Sequence, residues 1–391
     1  MTAPRFRTPA DIVISFPGGD LIAERATAGA PVKISYGAVA VLAVCQDGAT
    51  ASDVAAALTA VGYDMTSQDA AGALDILAGA GLVCRDDGDG GFPAAATAAR
   101  ITDDASWGGR WGPAAWLFHY GTRDCEPVDD ADVAALRAAD LTVPVFKRYP
   151  RARQVSLPAP AALPDTAFGD VLAGRRTVRE FTPEPVTVQG LSQLLHYTHA
   201  PHHLVQADSF GLLPRRSYAN GGARSELELY AAIRGTAGLP DGLYHYQSAE
   251  HRLELLGPAL SRERLLHLSY QQPWCAAAPV TVFVTATPGR SSRKYPVARA
   301  LRVIYHDAGC LAQVFEMTAA ALGLGAYITA FFRDTDTEQA LGIDGVQETM
   351  TLILGAGIPD PDPEPETIVP AGPAAMLPAT LFEDATSPPA S

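Results

Sequence analysis

Cysteine is scarce in this sequence. The five that occur, Cys45, Cys84, Cys125, Cys275 and Cys310, are odd in number, far apart and free of any C-x-x-C pair. That spacing indicates neither a zinc cage nor a disulfide framework, and thiols in a reducing cytoplasm are the expectation. No apolar run approaches the ~18 residues that cross a bilayer, and the opening MTAPRFRTPADIVISF lacks a stretch of signal-peptide length. A cytoplasmic chain with no membrane partner is expected. No G-x-G-x-x-G follows a strand-like run, which removes a dinucleotide Rossmann domain, and no G-x-S-x-G elbow marks a hydrolase. There is no internal repeat. His199, His202 and His203 lie close together, but no carboxylate or cysteine ligand pattern accompanies them, so no metal site is expected. Basic residues are absent after LILGAGIPDP, and the formal net charge is −14. An acidic surface repels phosphates, so no nucleic-acid partner is expected.

What is present is ordinary globular material, 48% hydrophobic and 18% charged over 391 residues, enough for two or three domains. Residues 1–100 read as a winged-helix-like N-terminal domain. ISYGAVAVLAVCQ is a buried helix; GATASDVAAALTAVG opens on a Thr50/Ser52 cap; TSQDAAGALDILAGAG opens on Thr66 or Ser67 and ends in glycine. GLVCRDDGDGGF then reads as strand, turn and return strand. The helices carry almost no Lys or Arg and the wing is acidic, which favours recognition of a peptide or protein over DNA. Residues 101–165 form a connecting segment that holds Trp107, Trp111 and Trp116, expected as a core cluster or seam, and then a Pro-rich extended linker. Residues 166–360 are an α+β domain. Its strands include ELYAAI, a GLYHYQSAEHRLELL hairpin, APVTVFVTAT and ETMTLILGAG, with a long helix in ALRVIYHDAGCLAQVFEMTAAALG. Residues 361–391 are a Pro/Ala-rich tail, too poor in large apolar side chains to build a core.

Three stretches of the third domain carry chemistry. Arg175, Arg176, Thr177 and Arg179 place three guanidinium groups and a hydroxyl in five positions. Guanidinium forks suit phosphate, and the mixture suits a flavin phosphate and the ring's N1/O2 edge. Taken alone, the run reads equally well as a solvated basic loop. Asn220, Gly221 and Gly222 make a tight loop whose glycines permit close backbone approach to a ligand. Lys294 and Tyr295 stand just before the long helix, which contains Gly309 and Gln313 and is followed by the turn Gly323, Leu324, Gly325.

In their order and spacing these stretches resemble the nitroreductase-like flavoprotein family, over roughly residues 165–360. GLPDGLYHYQSAEHRLELL and the Lys-Tyr pair look like one branch, the SagB-type (azoline) dehydrogenases. The resemblance implies a nitroreductase-like FMN fold and a homodimer. It makes Arg175, Arg176, Thr177, Arg179, Asn220, Gly221, Gly222, Gln313, Gly323, Leu324 and Gly325 the FMN contacts, although Ala219-Asn220 replaces the family's usual Pro-Ser. Lys294 and Tyr295 become the catalytic pair. The late basic residues by which many members hold the phosphate are missing, and Arg333 joins Arg175 and Arg179 as a candidate for that task. The implied activity is FMN-dependent oxidation of thiazoline or oxazoline rings in a ribosomal peptide to azoles. Its implied partners are an azoline-containing precursor peptide and a cyclodehydratase. An NAD(P)H-dependent nitroreductase acting on small molecules and a non-catalytic peptide-binding scaffold are the alternatives.

Overall fold

The computed structural model describes residues 3–25, 31–86, 110–123, 144–207 and 211–362, with positions 125, 129, 131, 134 and 135 besides. The chain divides into two compact units, Met1–Ala135 with Tyr295–Arg302, and Leu136–Lys294 with Val303–Ser391.

In the first unit, β1 (Arg5–Arg7) pairs antiparallel with β5 (Cys84–Asp86). Strands β2 (Ile12–Ser15), β3 (Ile22–Arg25) and β4 (Val32–Lys33) form a separate antiparallel sheet in that order. Three helices follow: α1 (Tyr36–Val44), α2 (Ala51–Ala60) and α3 (Ser67–Gly79). Thr50 and Thr66 cap α2 and α3 through full capping boxes with Asp53 and Asp69, which satisfy backbone donors reciprocally at each N-terminus. Val54 and Leu58 from α2, and Leu74 and Leu77 from α3, bury a common face against Val41 and Leu42 of α1. The three expected helices are therefore present, preceded by a three-stranded sheet that their periodicity did not announce. The return strand of the expected wing falls outside the described residues. Helix α4 (Pro113–Gly121) buries Trp116 and leaves Trp111, ahead of it, 74% exposed; Trp107 lies outside the described residues.

The second unit is built on a seven-stranded, wholly antiparallel sheet. Its strands are β6 (Arg153–Ser156), β9 (Leu227–Ile233), β10 (Gly242–Gln247), β11 (Arg252–Gly257), β12 (Val280–Ala286), β13 (Gly325–Thr329) and β14 (Thr349–Gly357), in the order β13-β14-β12-β9-β10-β11-β6. A two-stranded hairpin, β7 (His203–Ala207) with β8 (Gly211–Arg215), stands apart from it. Every residue of β9 and β12 is buried, because helices cover both faces. On one face α6 (Val188–His199) and α10 (Ala300–Ala321) cover Leu227, Leu229, Val282 and Val284. On the other, α7 (Arg262–Leu268), α8 (Pro273–Ala277) and α11 (Asp334–Leu341) pack with Tyr230, Phe283 and Ile353. The short helices α5 (Phe168–Gly174) and α9 (Pro288–Ser292) lead into the two stretches of interest.

The segment read as an extended linker is extended, but it is part of this unit. β6 pairs with β11, and the Tyr149 N–H donates to Glu254 Oε2 at 2.8 Å. A Pro-rich run adjoining an edge strand has the composition of a linker, and only its pairing partner distinguishes the two.

Candidate functional site

Helix α10 organises the site. Its buried positions include Ile304, Asp307, Ala308, Leu311, Ala312, Phe315, Glu316 and Ala319, which follow the three-and-four spacing of an amphipathic helix. Two of them, Asp307 and Glu316, are acids on an otherwise apolar face. Each answers to one of the stretches picked out in the sequence. They are nine residues apart, about 14 Å along the axis at 1.5 Å per residue.

At Glu316 the partner is Arg175, whose Nη1 donates to Oε2 at 3.0 Å. Burial raises the Glu316 pKa and Arg175 pulls it back. Arg175 is the C-cap of α5, and from it the chain runs alongside β13. Thr177 bridges Ala326 in parallel, and the Val178 N–H donates to the Ala326 carbonyl at 2.8 Å. Gly325 is buried there, and a Cβ on it would lie 2.6 Å from Val178 Cγ1, so close approach of the two backbones requires this glycine. Arg176 is exposed and donates to the carbonyls of Ala173 and Arg175, while the Arg179 guanidinium lies over the Trp274 ring, 5.1 Å from its centroid. Among the described residues neither Arg176 nor Arg179 meets a carboxylate. Arg175, Thr177, Leu324 and Gly325 are thus brought together, with Gln313 exposed one turn before Glu316 and Gly323 exposed at the end of α10.

At Asp307 the partner is the Asn220 loop. Asn220 Nδ2 lies 3.0 Å from Asp307 Oδ2, and the Gly221 N–H donates to the same oxygen at 2.7 Å. A Cβ on Gly221 would collide with Val303 of α10, and Gly222 has φ 64°, so both glycines are called for by the loop's own geometry.

Arg333 has partners of its own. It stands beyond the far end of β13, where its Nε donates to the His267 carbonyl at 3.1 Å and its guanidinium lies 4.4 Å from the Tyr270 ring centroid. Lys294 and Tyr295, both half-buried, lie between α9 and α10, with the Lys294 N–H donating to the Ser291 carbonyl at 3.1 Å. Lys294 closes the second unit's first segment, and Tyr295 opens the 295–302 segment of the first unit.

Sequence reasoning missed a second polar layer on the opposite face of the sheet. His245, fully buried, sits between Glu254 Oε2 at 2.9 Å and Glu228 Oε2 at 3.1 Å. Burial opposes its protonation, but the two glutamates raise its pKa above the usual value. Arg290 pairs with Glu228 at 2.6 Å, and Lys147 pairs with Glu348, which also accepts from Tyr230 at 2.9 Å and Thr285 at 2.6 Å. Beside this layer is a cavity of about 830 Å³ reached by Lys147, Gln247, Thr287, Arg290 and Glu348. The signal was available in LELY, where Glu228 and Tyr230 alternate with Leu227 and Leu229 and so share one face of the strand. A smaller cavity of about 360 Å³ adjoins Tyr305 and Gly309 of α10 and Phe332, Met350 and Thr351; of the residues singled out from the sequence, Gly309 is among those that line it. Among the described residues no group of three or more His, Cys, Asp or Glu could hold a metal ion, and no helix is long and apolar enough to cross a membrane.

A model of the nitroreductase family matches residues 172–358. Over 175 residues the chain is 30% identical to "Putative nitroreductase MJ1384" of Methanocaldococcus jannaschii, covering 44% of this chain and 83% of that one. Over 166 residues it is 28% identical to trifolitoxin-processing protein TfxB of Rhizobium leguminosarum bv. trifolii, covering 41% of this chain and 44% of that one. Among solved structures, the E. coli microcin synthetase McbBCD complex with truncated pro-MccB17 is 15% identical, covering 61% of this chain and 85% of that one, with a TM-score of 0.39. Nitroreductase A of Vibrio parahaemolyticus is also 15% identical, covering 57% and 78%, with a TM-score of 0.38.

Proposed function

We propose, from the premise that this chain belongs to the nitroreductase family, that it binds FMN and oxidises azoline rings in a peptide to azoles, as a SagB-type dehydrogenase. The observation that carries this reading is that four residues separate Lys294-Tyr295 from the start of α10, the helix to which the arginine turn and the Asn220 loop are both tied. The similarity to a trifolitoxin-processing protein supports a peptide substrate.

The residues present fit the cofactor. Arg176 and Arg179 meet no described carboxylate and suit its phosphate, with Arg175 beside them; Thr177 and the Asn220 loop suit the polar edge of its ring. Arg333 remains the further candidate for the phosphate. FMN, when bound, supplies a two-electron acceptor for hydride. Lys294 takes the proton from the ring carbon that was a peptide Cα, as hydride leaves the neighbouring carbon and the ring double bond forms. Tyr295 orients the azoline and stabilises charge that develops on its nitrogen. Molecular oxygen is the final acceptor. A homodimer completes the site, and a cyclodehydratase supplies the azoline-containing precursor peptide.

Wild-type protein reconstituted with FMN is expected to remove two hydrogen atoms per azoline, read by mass spectrometry of the peptide. Lys294→Ala is expected to retain the flavin and leave the peptide mass unchanged. Full turnover by Lys294→Ala would overturn the assignment. The 30% identity with an archaeal nitroreductase-type protein favours a second reading, NAD(P)H-dependent reduction of small molecules. Rapid flavin reduction by NADPH, with no change in any azoline peptide, would decide for it.

A further inference from the structure

Two carboxyl groups lie beneath the Asn220 loop. Glu226 is fully buried and Asp307 is 5% exposed. Asn220 Nδ2 lies 3.2 Å from each Glu226 oxygen and 3.0 Å from Asp307 Oδ2, while Asn220 Oδ1 accepts the Ser225 N–H at 2.9 Å. The Gly221 N–H completes the set at Asp307. Among the described residues, no Lys or Arg forms an ion pair with either acid. Arg290 is taken up by Glu228 and by the Ser225 carbonyl, Arg216 by the Ser225 hydroxyl and the His199 carbonyl, and Arg224 donates to the Gly222 carbonyl. The remaining neighbours are neutral: Tyr218 is held protonated by burial, and His199 is held unprotonated by burial and by Arg216. Glu228, despite its burial, stays ionised beside Arg290. His306 and Tyr305 of α10 point to its exposed side. Two buried carboxyl groups that share one amide donor and lack a cation cannot both ionise.

We infer that Asp307 keeps its proton at neutral pH, directed at the Glu226 carboxyl, and that the pair thereby clamps the Asn220–Gly222 loop to α10, which makes the two acids positioning residues for flavin binding. The inference rests on the FMN reading above. Burial, and after it the Glu226 carboxyl, pushes Asp307 up to about 8. Loss of that proton sets two negative charges against each other below a loop that has no slack, because Gly221 already touches Val303.

The test is FMN affinity by fluorescence quenching across about pH 6 to 10, on the full chain, with infrared spectra of the flavin-free protein alongside. For the wild type the dissociation constant is expected to be level below about pH 8 and to rise about tenfold per pH unit above it. Asp307→Asn, which keeps the shape and removes the charge, is expected to bind FMN and to flatten the profile. Glu226→Gln serves in its place if Asp307→Asn does not fold. A protonated-carboxyl infrared band is expected at neutral pH, fading as pH rises through about 8 and missing in Asp307→Asn. A level wild-type profile, a variant with the wild-type slope, or no such band would overturn the inference. FMN binding absent at every pH while the band titrates overturns the flavin reading, and the positioning role with it, but leaves the Asp307 proton demonstrated.

Discussion

Arg175 answers two demands at once. It is one of three guanidinium groups available to a phosphate, and it is the partner of a buried carboxylate on α10. Arg175→Ala leaves Glu316 buried without a counter-charge. Because Arg175 is itself a third exposed, the loss is discounted from that of a fully buried pair, to about 1–2 kcal/mol. Glu316 already has a raised pKa, and removing Arg175 raises it further. A carboxyl raised in the folded state gives stability at low pH that is lost as pH rises, so the variant's deficit in urea unfolding should grow from acid toward neutral pH. A deficit of constant size would mean that Glu316 is solvated. The arginine run was legible as a run, because guanidinium groups at that density are uncommon. That one of them is paired internally was not, since Glu316 lies 141 residues away. The same holds for Asn220. Its amide is engaged by Glu226 and Asp307, and nothing in ANGGARSELELY announces a partner on a distant helix.

Among elements, those with strong local signals were legible. The apolar runs of β9 and β12 and the Thr-x-x-Asp capping boxes of α2 and α3 are fixed by neighbours in sequence. Strands β2, β3, β4 and β6, each four residues or fewer, were not legible, because a run so short shows no period and is a strand only through its partner. Gly325 illustrates the difference. The family resemblance makes it an FMN contact, and in the fold its missing side chain also admits Val178 and docks the 175–179 segment along β13. Gly325→Ala is expected to cost about 1–3 kcal/mol through overpacking and to weaken FMN binding by shifting the arginine turn. Adding Val178→Ala should recover most of the stability, since the two sites touch. Equal losses in the single and double variants, measured by urea denaturation, would show that the contact is not the cause.

At the scale of the molecule, composition and missing motifs excluded more than they established, and the family resemblance supplied the rest. The sheet unit carries the arginine turn, the Asn220 loop and Lys294, while Tyr295 belongs to the segment grouped with the N-terminal unit. The chain has three lysines in all, at 33, 147 and 294; Lys33 pairs with Asp20 and Lys147 with Glu348. The most direct measurement is an anaerobic absorbance titration of the FMN-loaded protein with an azoline-containing peptide. The account predicts that the flavin band bleaches in proportion to peptide added, without NAD(P)H, and returns when oxygen is admitted. A band unmoved by the peptide but bleached by NADPH would contradict it.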